Sequence, residues 1–386
     1  MNNFKFRNPT ELIFGKGMVS ELSKRVPQSV PVLITFGGGS VKKNGVYDAV
    51  KEALKDHNTI EFWGIEANPK VETLRKAIEL GREHNVGFIL AVGGGSVIDG
   101  SKLIAGAILS DMDAWDLVKS HKIRNKTIPL GTVLTIPATG SEMNNGGVIS
   151  CLATKEKFAF AGEFPVFSIL DPEYTYSLPE YQVSCGIADT FVHTLEQYLT
   201  VTGQSRLMDR WAESLMLTLT EIAPIIRQDP QNYDARAEMM LCSTMALNGF
   251  IAMGVSQDWA THGIGHELTA LTGITHGHTL SIVMPGTMRV LGYGQKRGKM
   301  LQYAERVWGI TEGEEDDRIT QAIEKTEDFF RSLGLKTRLE EMEVSHDVIL
   351  EIEKRFAERG VKMGENMNIE SSISRQILES VYPRKA

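Results

Sequence analysis

Cysteine is scarce in this chain: 386 residues contain only Cys151, Cys185 and Cys242. The three are far apart, odd in number and outside any CxxC spacing, which excludes a disulfide framework and a cysteine-held metal. Any cation bound here must therefore use nitrogen and oxygen donors, and the thiols read as the reduced cysteines of a cytoplasmic protein. Lys/Arg-rich runs are also missing and the formal net charge is −8, which argues against nucleic acid and anionic membranes as partners. No apolar stretch reaches the roughly 18 residues of a membrane span. The opening MNNFKFRNPTEL is neither a signal peptide nor an arginine-rich transit peptide. Two motifs are absent as well: the GxGxxG dinucleotide fingerprint and the HExxH zinc-protease pattern. What is present is an ordinary globular composition, 42% hydrophobic and 23% charged, with enough length for two domains or one large one.

Up to about residue 180 short apolar runs alternate with amphipathic segments. PVLITF (31–36), EFWGI (61–65) and GFILAV (87–92) read as strands, with helices expected near 46–56, after Pro69 and after the turn at 93. Strand, glycine turn and helix in repetition signal a parallel sheet with helices on its faces. Ahead of it, FKFRNPTELIFGKG alternates polar and apolar residues as an edge hairpin does, and an unpaired edge invites a homodimer. From 182 on, helical periodicity takes over at 182–200, 206–227, 234–253, 257–271, 278–293, 317–333 and 346–357, with Pro285 expected to end or kink one helix. The expected fold is an α/β Rossmann-like domain over residues 1–181 followed by an all-α domain over 182–386. EGEEDD (312–317) reads as a solvated acidic loop.

Four side chains in the second half stand out. Asp189 and His193 lie four apart in GIADTFVH, on one face of a helix. His262 opens another such pair with His266, and His276 follows in THGH. One carboxylate and three imidazoles make a ligand set for Fe²⁺ or Zn²⁺ that leaves a position open for a substrate oxygen. His266 reads either as a proton relay or as a hydrogen-bond partner of a ligand, and His278 as a ligand support or a turn residue. His57, His84, His121 and His346 read as surface histidines.

GGGS occurs at 37–40 and again at 93–96, each time after an expected strand. At the second, Gly94 and Gly95 would let the backbone approach a pyrophosphate, with Ser96 and the helix N-terminus as donors; the alternative is a purely structural turn. Asp99 and the polar turn TIPATGSE (135–142) follow nearby. After the first expected strand no Asp or Glu stands where an NAD site places one. Ser40, Lys42 and Lys43 stand there instead, which favours NADP(H).

With these residues in place the chain resembles the iron-containing (group III) alcohol dehydrogenases, and within them the NADP-dependent aldehyde reductase and butanol dehydrogenase branch. The resemblance is carried by NPTELIFGKG (8–17), AVGGGSVIDGSK (91–102), TIPATGSEMNN (135–145), GIADTFVHTLEQYLT (186–200) and HGIGHELTALTGITHGHTLSIVMP (262–285). It implies a metal site at Asp189, His193, His262 and His276, and a functional His at 266. It implies dinucleotide contacts from Gly38, Ser40, Gly94, Gly95, Ser96 and Asp99. Thr135, Thr139 and Asn144 would lie near the nicotinamide ribose and carboxamide, and Lys157 would approach the cofactor. The implied reaction is hydride transfer between NADP(H) and an aldehyde or alcohol. Met253, Val255 and Trp259 read either as an apolar pocket for short aliphatic substrates or as ordinary core.

Two other classes compete. A metal- and NAD-dependent lyase similar to 3-dehydroquinate synthase shares the expected architecture, but it needs a basic substrate pocket, and Arg206, Arg210 and Arg227 are scattered. A metal-dependent hydrolase would need a water-activating carboxylate, for which Glu267 is the nominal candidate.

Overall fold

Eight strands, all in the first half of the chain, fall into two sheets in the computed structural model, which describes residues 1–383. They are β1 (Glu11–Phe14), β2 (Val32–Phe36), β3 (Thr59–Phe62), β4 (Phe88–Gly94), β5 (Leu130–Ile136), β6 (Gly146–Cys151), β7 (Glu156–Ala161) and β8 (Phe167–Leu170). Six form a parallel sheet in the order β1-β8-β5-β4-β2-β3, while β6 and β7 make a separate antiparallel hairpin. The central strands are buried almost end to end because helices cover both faces. Leu33, Ile89 and Ala91 point into a core with α3 (Val71–Glu83), α4 (Gly95–Ala107) and α5 (Ala114–Lys119). Their neighbours Val32, Ile34, Leu90 and Val92 point the other way, toward α1 (Leu22–Arg25) and α2 (Val46–Ala53). That is the period-two alternation of a strand.

The expected N-terminal hairpin is replaced by one parallel edge strand. Asn8 donates to the carbonyls of Met143 and Asn248, Thr10 donates to that of Pro165, and β1 then pairs with β8. These ties carry the chain past β8 instead of folding it back on itself.

The remaining helices are α6 (Glu180–Tyr198), α7 (Arg206–Gln228), α8 (Tyr233–Ala246), α9 (Ala260–Thr272) and α10 (His276–Leu291), followed by α11 (Arg297–Trp308), α12 (Glu315–Ser332), α13 (Asp347–Arg359) and α14 (Ser371–Glu379). The chain divides into two compact units. One comprises 7–178 together with 229–248; the other comprises 1–6, 179–228 and the chain from Gly249 on. α8 thus packs with the sheet, where Met240 joins its core, although the sequence division at 181/182 groups it with the helices.

α8 also stops at Ala246, short of the expected 253, because Gly249 and Gly254 turn the chain at positive φ. Pro285 neither ends nor breaks α10, which runs on to Leu291. Packing against α6, α9, α12 and α14 holds that helix together. The acidic stretch is exposed and its first half, 312–314, is loop as expected, but Glu315, Asp316 and Asp317 form the first turn of α12, where negative charge suits the helix dipole, and Arg297 pairs with Glu315 and Asp316. Among the described residues no helix is long and apolar enough to cross a membrane.

Candidate metal centre and nucleotide-binding turns

Three elements of the helical unit supply the centre. α6 is buried from Val183 to Tyr198 and carries Asp189 and His193 on one face. α9 begins just after Asp258, whose carboxylate accepts from the Ala260 N–H at 2.8 Å, and after Trp259 at a positive φ of 65°. This places His262 in the first turn. Gly273, at φ 76°, closes α9, and His276 opens α10 three residues later, so one helical hairpin presents both histidines. Gly277 lets α10 lie against α6: a Cβ there would stand 2.2 Å from the carbonyl oxygen of Cys185.

Donor atoms of Asp189, His262 and His276 lie within 4.8 Å of one another. Asp189 Oδ1 is 3.6 Å from Nε2 of His262, and both atoms are buried without a hydrogen-bond partner. Unsatisfied buried polar atoms are costly, and two of them facing each other suit a shared cation. A carboxylate and two imidazoles fit Fe²⁺ or Zn²⁺. His193 stands outside that group of three, yet its Nε2 is 3.5 Å from Asp189 Oδ1 and its ring stacks on His262 at 4.5 Å. Burial alone would disfavour charge on His262, but the carboxylates of Glu196 and Asp189 outweigh it and push its pKa up to about 9.

Glu196 is absent from the sequence reading. Its buried carboxylate accepts from the N–H groups of Thr261 at 2.6 Å and His262 at 3.2 Å, and it meets Nδ1 of the His262 ring. The signal was available: Asp189, His193 and Glu196 follow i, i+4, i+7 spacing on one helix face.

His266 is half-buried, its ring 4.7 Å from that of His276 and 6.3 Å from that of His262. His278 is neither surface nor simple turn. Its Nδ1 meets the Tyr181 hydroxyl at 3.0 Å, its Nε2 accepts from the Lys336 N–H at 3.0 Å, and burial pushes its pKa down to about 4. Glu267 is buried and paired with Arg355 and Arg359, which engages the carboxylate that a hydrolase would need as its base. Arg210 and Arg227 pair with Glu213 and Glu180. His57 is buried against the Val26 carbonyl, not exposed; His84 and His121 are exposed as expected, and His346 is half-buried.

The glycine turns belong to the sheet unit. Gly94 ends β4 and Gly95 begins α4, so the first-turn N–H groups of Gly95 and Ser96 lie where an anion is favoured. A Cβ on Gly95 would meet Thr139 at 2.3 Å to Oγ1 and 2.8 Å to Cγ2. Gly38 and Ser40 are exposed, and a Cβ on Gly38 would meet nothing within 4 Å. Lys42 lies over the Trp63 ring at 4.0 Å, held beside the turn rather than loose in solvent.

Several residues expected at the cofactor are occupied by the protein itself. The Ser141 hydroxyl donates to Asp99 Oδ1 at 2.6 Å, and the Val148 N–H donates to its Oδ2 at 2.9 Å. Asn144 donates to the carbonyls of Gly140 and Leu247, while its Oδ1 accepts from Lys102 and Gly146. These bonds shape the 139–148 turn. Thr135 is buried at the end of β5, Thr139 accepts from the Ser141 N–H at 3.3 Å, and Lys157 on β7 donates to Asn68 at 2.9 Å.

Residues 9–172 match the family described as iron-containing alcohol dehydrogenase, and 183–382 match the Fe-containing alcohol dehydrogenase C-terminal family. NADPH-dependent aldehyde reductase YqhD of Escherichia coli is 49% identical over 98% of this chain and 100% of its own length. A probable NADH-dependent butanol dehydrogenase 1 of Bacillus subtilis is 42% identical over 90% of this chain and 91% of its own. The crystal structure of Escherichia coli K-12 YqhD superposes with a TM-score of 0.96 at 48% identity, covering 98% of this chain and 99% of the other. With the donor set, the parallel sheet and matches along nearly its whole length, this chain belongs to the iron-containing alcohol dehydrogenase family.

Proposed function

We propose that this protein is an NADPH-dependent aldehyde reductase, acting reversibly as an alcohol dehydrogenase on short aliphatic substrates. The observation that carries the reading is the pair of buried, unpartnered atoms, Asp189 Oδ1 and His262 Nε2, grouped with His276. Asp189, His262 and His276 would hold the cation, and His193 beside them would complete the ligand set. When bound, an Fe²⁺ or Zn²⁺ ion supplies Lewis acidity that polarises a carbonyl and lowers the pKa of an alcohol. Gly94, Gly95 and Ser96 take the pyrophosphate of the nucleotide, and the nucleotide supplies hydride. Gly38, Ser40 and Lys42, with no carboxylate among them, accept a 2′-phosphate where an Asp would repel it. Trp259, whose ring stands 5.3 Å from that of His262 and 6.2 Å from that of His193, gives the substrate an apolar wall. His266 delivers the proton that the product oxygen requires. The roles of Thr135, Thr139 and Lys157 are to line the nucleotide; Asp99 and Asn144 hold the turn that does so.

The three buried free thiols suit a reducing compartment, and we place the protein in the cytoplasm. β1 is an edge strand of the sheet, and a homodimer would pair it with a second copy.

The test is oxidation of NADPH against NADH with butanal, in protein stripped of metal and reloaded with Fe²⁺ or Zn²⁺. The expected result is turnover only after reloading, with NADPH the better donor. Oxidation of neither nucleotide under any loading would remove the proposal. A Gly95→Ala variant is expected to weaken NADPH binding by about tenfold or more, since relieving the contact must shift the turn whose N–H groups would hold the pyrophosphate. Rotating Thr139 cannot relieve the contact, because its Oγ1, Cγ2 and Cβ all crowd the added carbon. Fluorescence titration with NADPH checks this, and cation affinity should be unchanged.

A further inference from the structure

We propose that Glu196 is a positioning residue of the cation centre: it holds His262 in the tautomer protonated on Nδ1, so that Nε2 keeps its lone pair for the cation. This rests on the function proposed above, since it requires a cation at Asp189, His262 and His276.

Glu196 is 2% exposed and lies one face-length down α6 from Asp189. Its carboxylate binds the Thr261 and His262 N–H groups and the His262 ring at Nδ1. Its own carbonyl accepts from the Asp258 N–H at 2.9 Å. One residue therefore fixes both the backbone at the start of α9 and the ring that this backbone carries. An ionised carboxylate can only accept, so Nδ1 must donate. The opposite nitrogen, Nε2, is the one left without a hydrogen-bond partner, 3.6 Å from Asp189 Oδ1. A carboxylate behind a metal-bound imidazole orients the ring and raises its basicity.

Glutamine at 196 keeps the size but not the chemistry. Its single oxygen can replace Oε1 or Oε2 but not both: at Oε1 it keeps the Thr261 N–H and sets NH₂ against the His262 N–H and Nδ1, and at Oε2 it sets NH₂ against the Thr261 N–H. The first arrangement makes Nδ1 the acceptor and moves the ring proton to Nε2, where it blocks ligation; the second breaks the N–H pairing that fixes the start of α9 beneath the His262 ring.

The experiment is competition for Zn²⁺ and Co²⁺ between a chromophoric chelator and three proteins: the natural chain, Glu196→Gln and Glu196→Asp. Glu196→Gln is expected to bind about 10- to 100-fold more weakly, with a changed Co²⁺ visible spectrum. Glu196→Asp, which retains an acceptor, is expected to recover part of the loss. A second measurement needs no variant: ¹⁵N-histidine NMR of the Zn²⁺-loaded natural chain should show the His262 proton on Nδ1. Equal cation affinity in Glu196→Gln, or an unprotonated Nδ1, would overturn the positioning role alone. A natural chain that binds neither cation would overturn the metal centre and this role together.

Discussion

Asp189→Ala is expected to lose turnover by about a thousandfold or more while remaining folded. A metal-polarised carbonyl is worth several kcal/mol of barrier, and each 1.36 kcal/mol is a decade of rate, so removing one first ligand forfeits about three decades or more. The same substitution should leave the metal-free protein close to its natural stability. Asp189 Oδ1 is buried in the middle of α6 without a hydrogen-bond partner, and alanine is the best helix former, so the gain from deleting a poorly satisfied polar atom offsets the lost attraction to the His262 ring. Activity and stability thus part company, as they do where a side chain serves a ligand rather than the fold. His276→Ala should behave alike in turnover. Chelator-treated samples unfolded by denaturant, beside steady-state rates with Zn²⁺ restored, check both halves. If Asp189→Ala retains most of its activity, the ligand assignment is wrong.

Gly277→Ala should show the opposite pattern, with stability and cation binding falling together. Alanine usually improves a helix by about 1 kcal/mol over glycine. Here the added carbon would sit 2.2 Å from the Cys185 oxygen, 2.8 Å from its carbonyl carbon and 3.0 Å from its Cα. All three are backbone atoms of α6, so no rotamer can move them aside. The helices must separate, and overpacking of this kind costs about 1–3 kcal/mol, which exceeds the propensity gain. His276 is the adjacent residue on α10, so the same separation draws a ligand away from Asp189. A lower denaturant midpoint with weaker Zn²⁺ binding is the expected outcome. A variant with natural stability and affinity would mean that α10 does not rest on α6 as closely as described.

The contrast between these two substitutions marks what pattern reading reaches. Asp189 could be found from spacing because i, i+4 neighbours share a helix face whatever surrounds them. Gly277 could not, since nothing in HGH tells which carbonyl a Cβ would meet. Glu196 lay between these cases. Its i+7 position was readable, but its role depends on α9 bringing the Thr261 and His262 N–H groups to it.

Elements followed the same division. The runs VLITF and FILAVGG were legible as buried strands because both of their faces are apolar. The β6–β7 hairpin and the short β8 carry no such continuous signal, and they passed unnoticed. α11 and α14 also lie outside the expected helices, although RGKMLQYAERVW and SSISRQILE both carry an apolar face. The periodicity of α8 was real, yet periodicity does not say against which layer a helix packs.

From residue order alone came the donor chemistry, the helix faces that carry it and the glycine turns at strand ends, because backbone geometry sets those within a few residues. The meeting of α6 with α9 and α10 was decided only in three dimensions, as were the duty of Glu196 and the engagement of Asp99 and Asn144 within the protein. Such contacts join segments scores of residues apart, and they form only when the packing of whole helices and the pairing of buried polar groups are satisfied together.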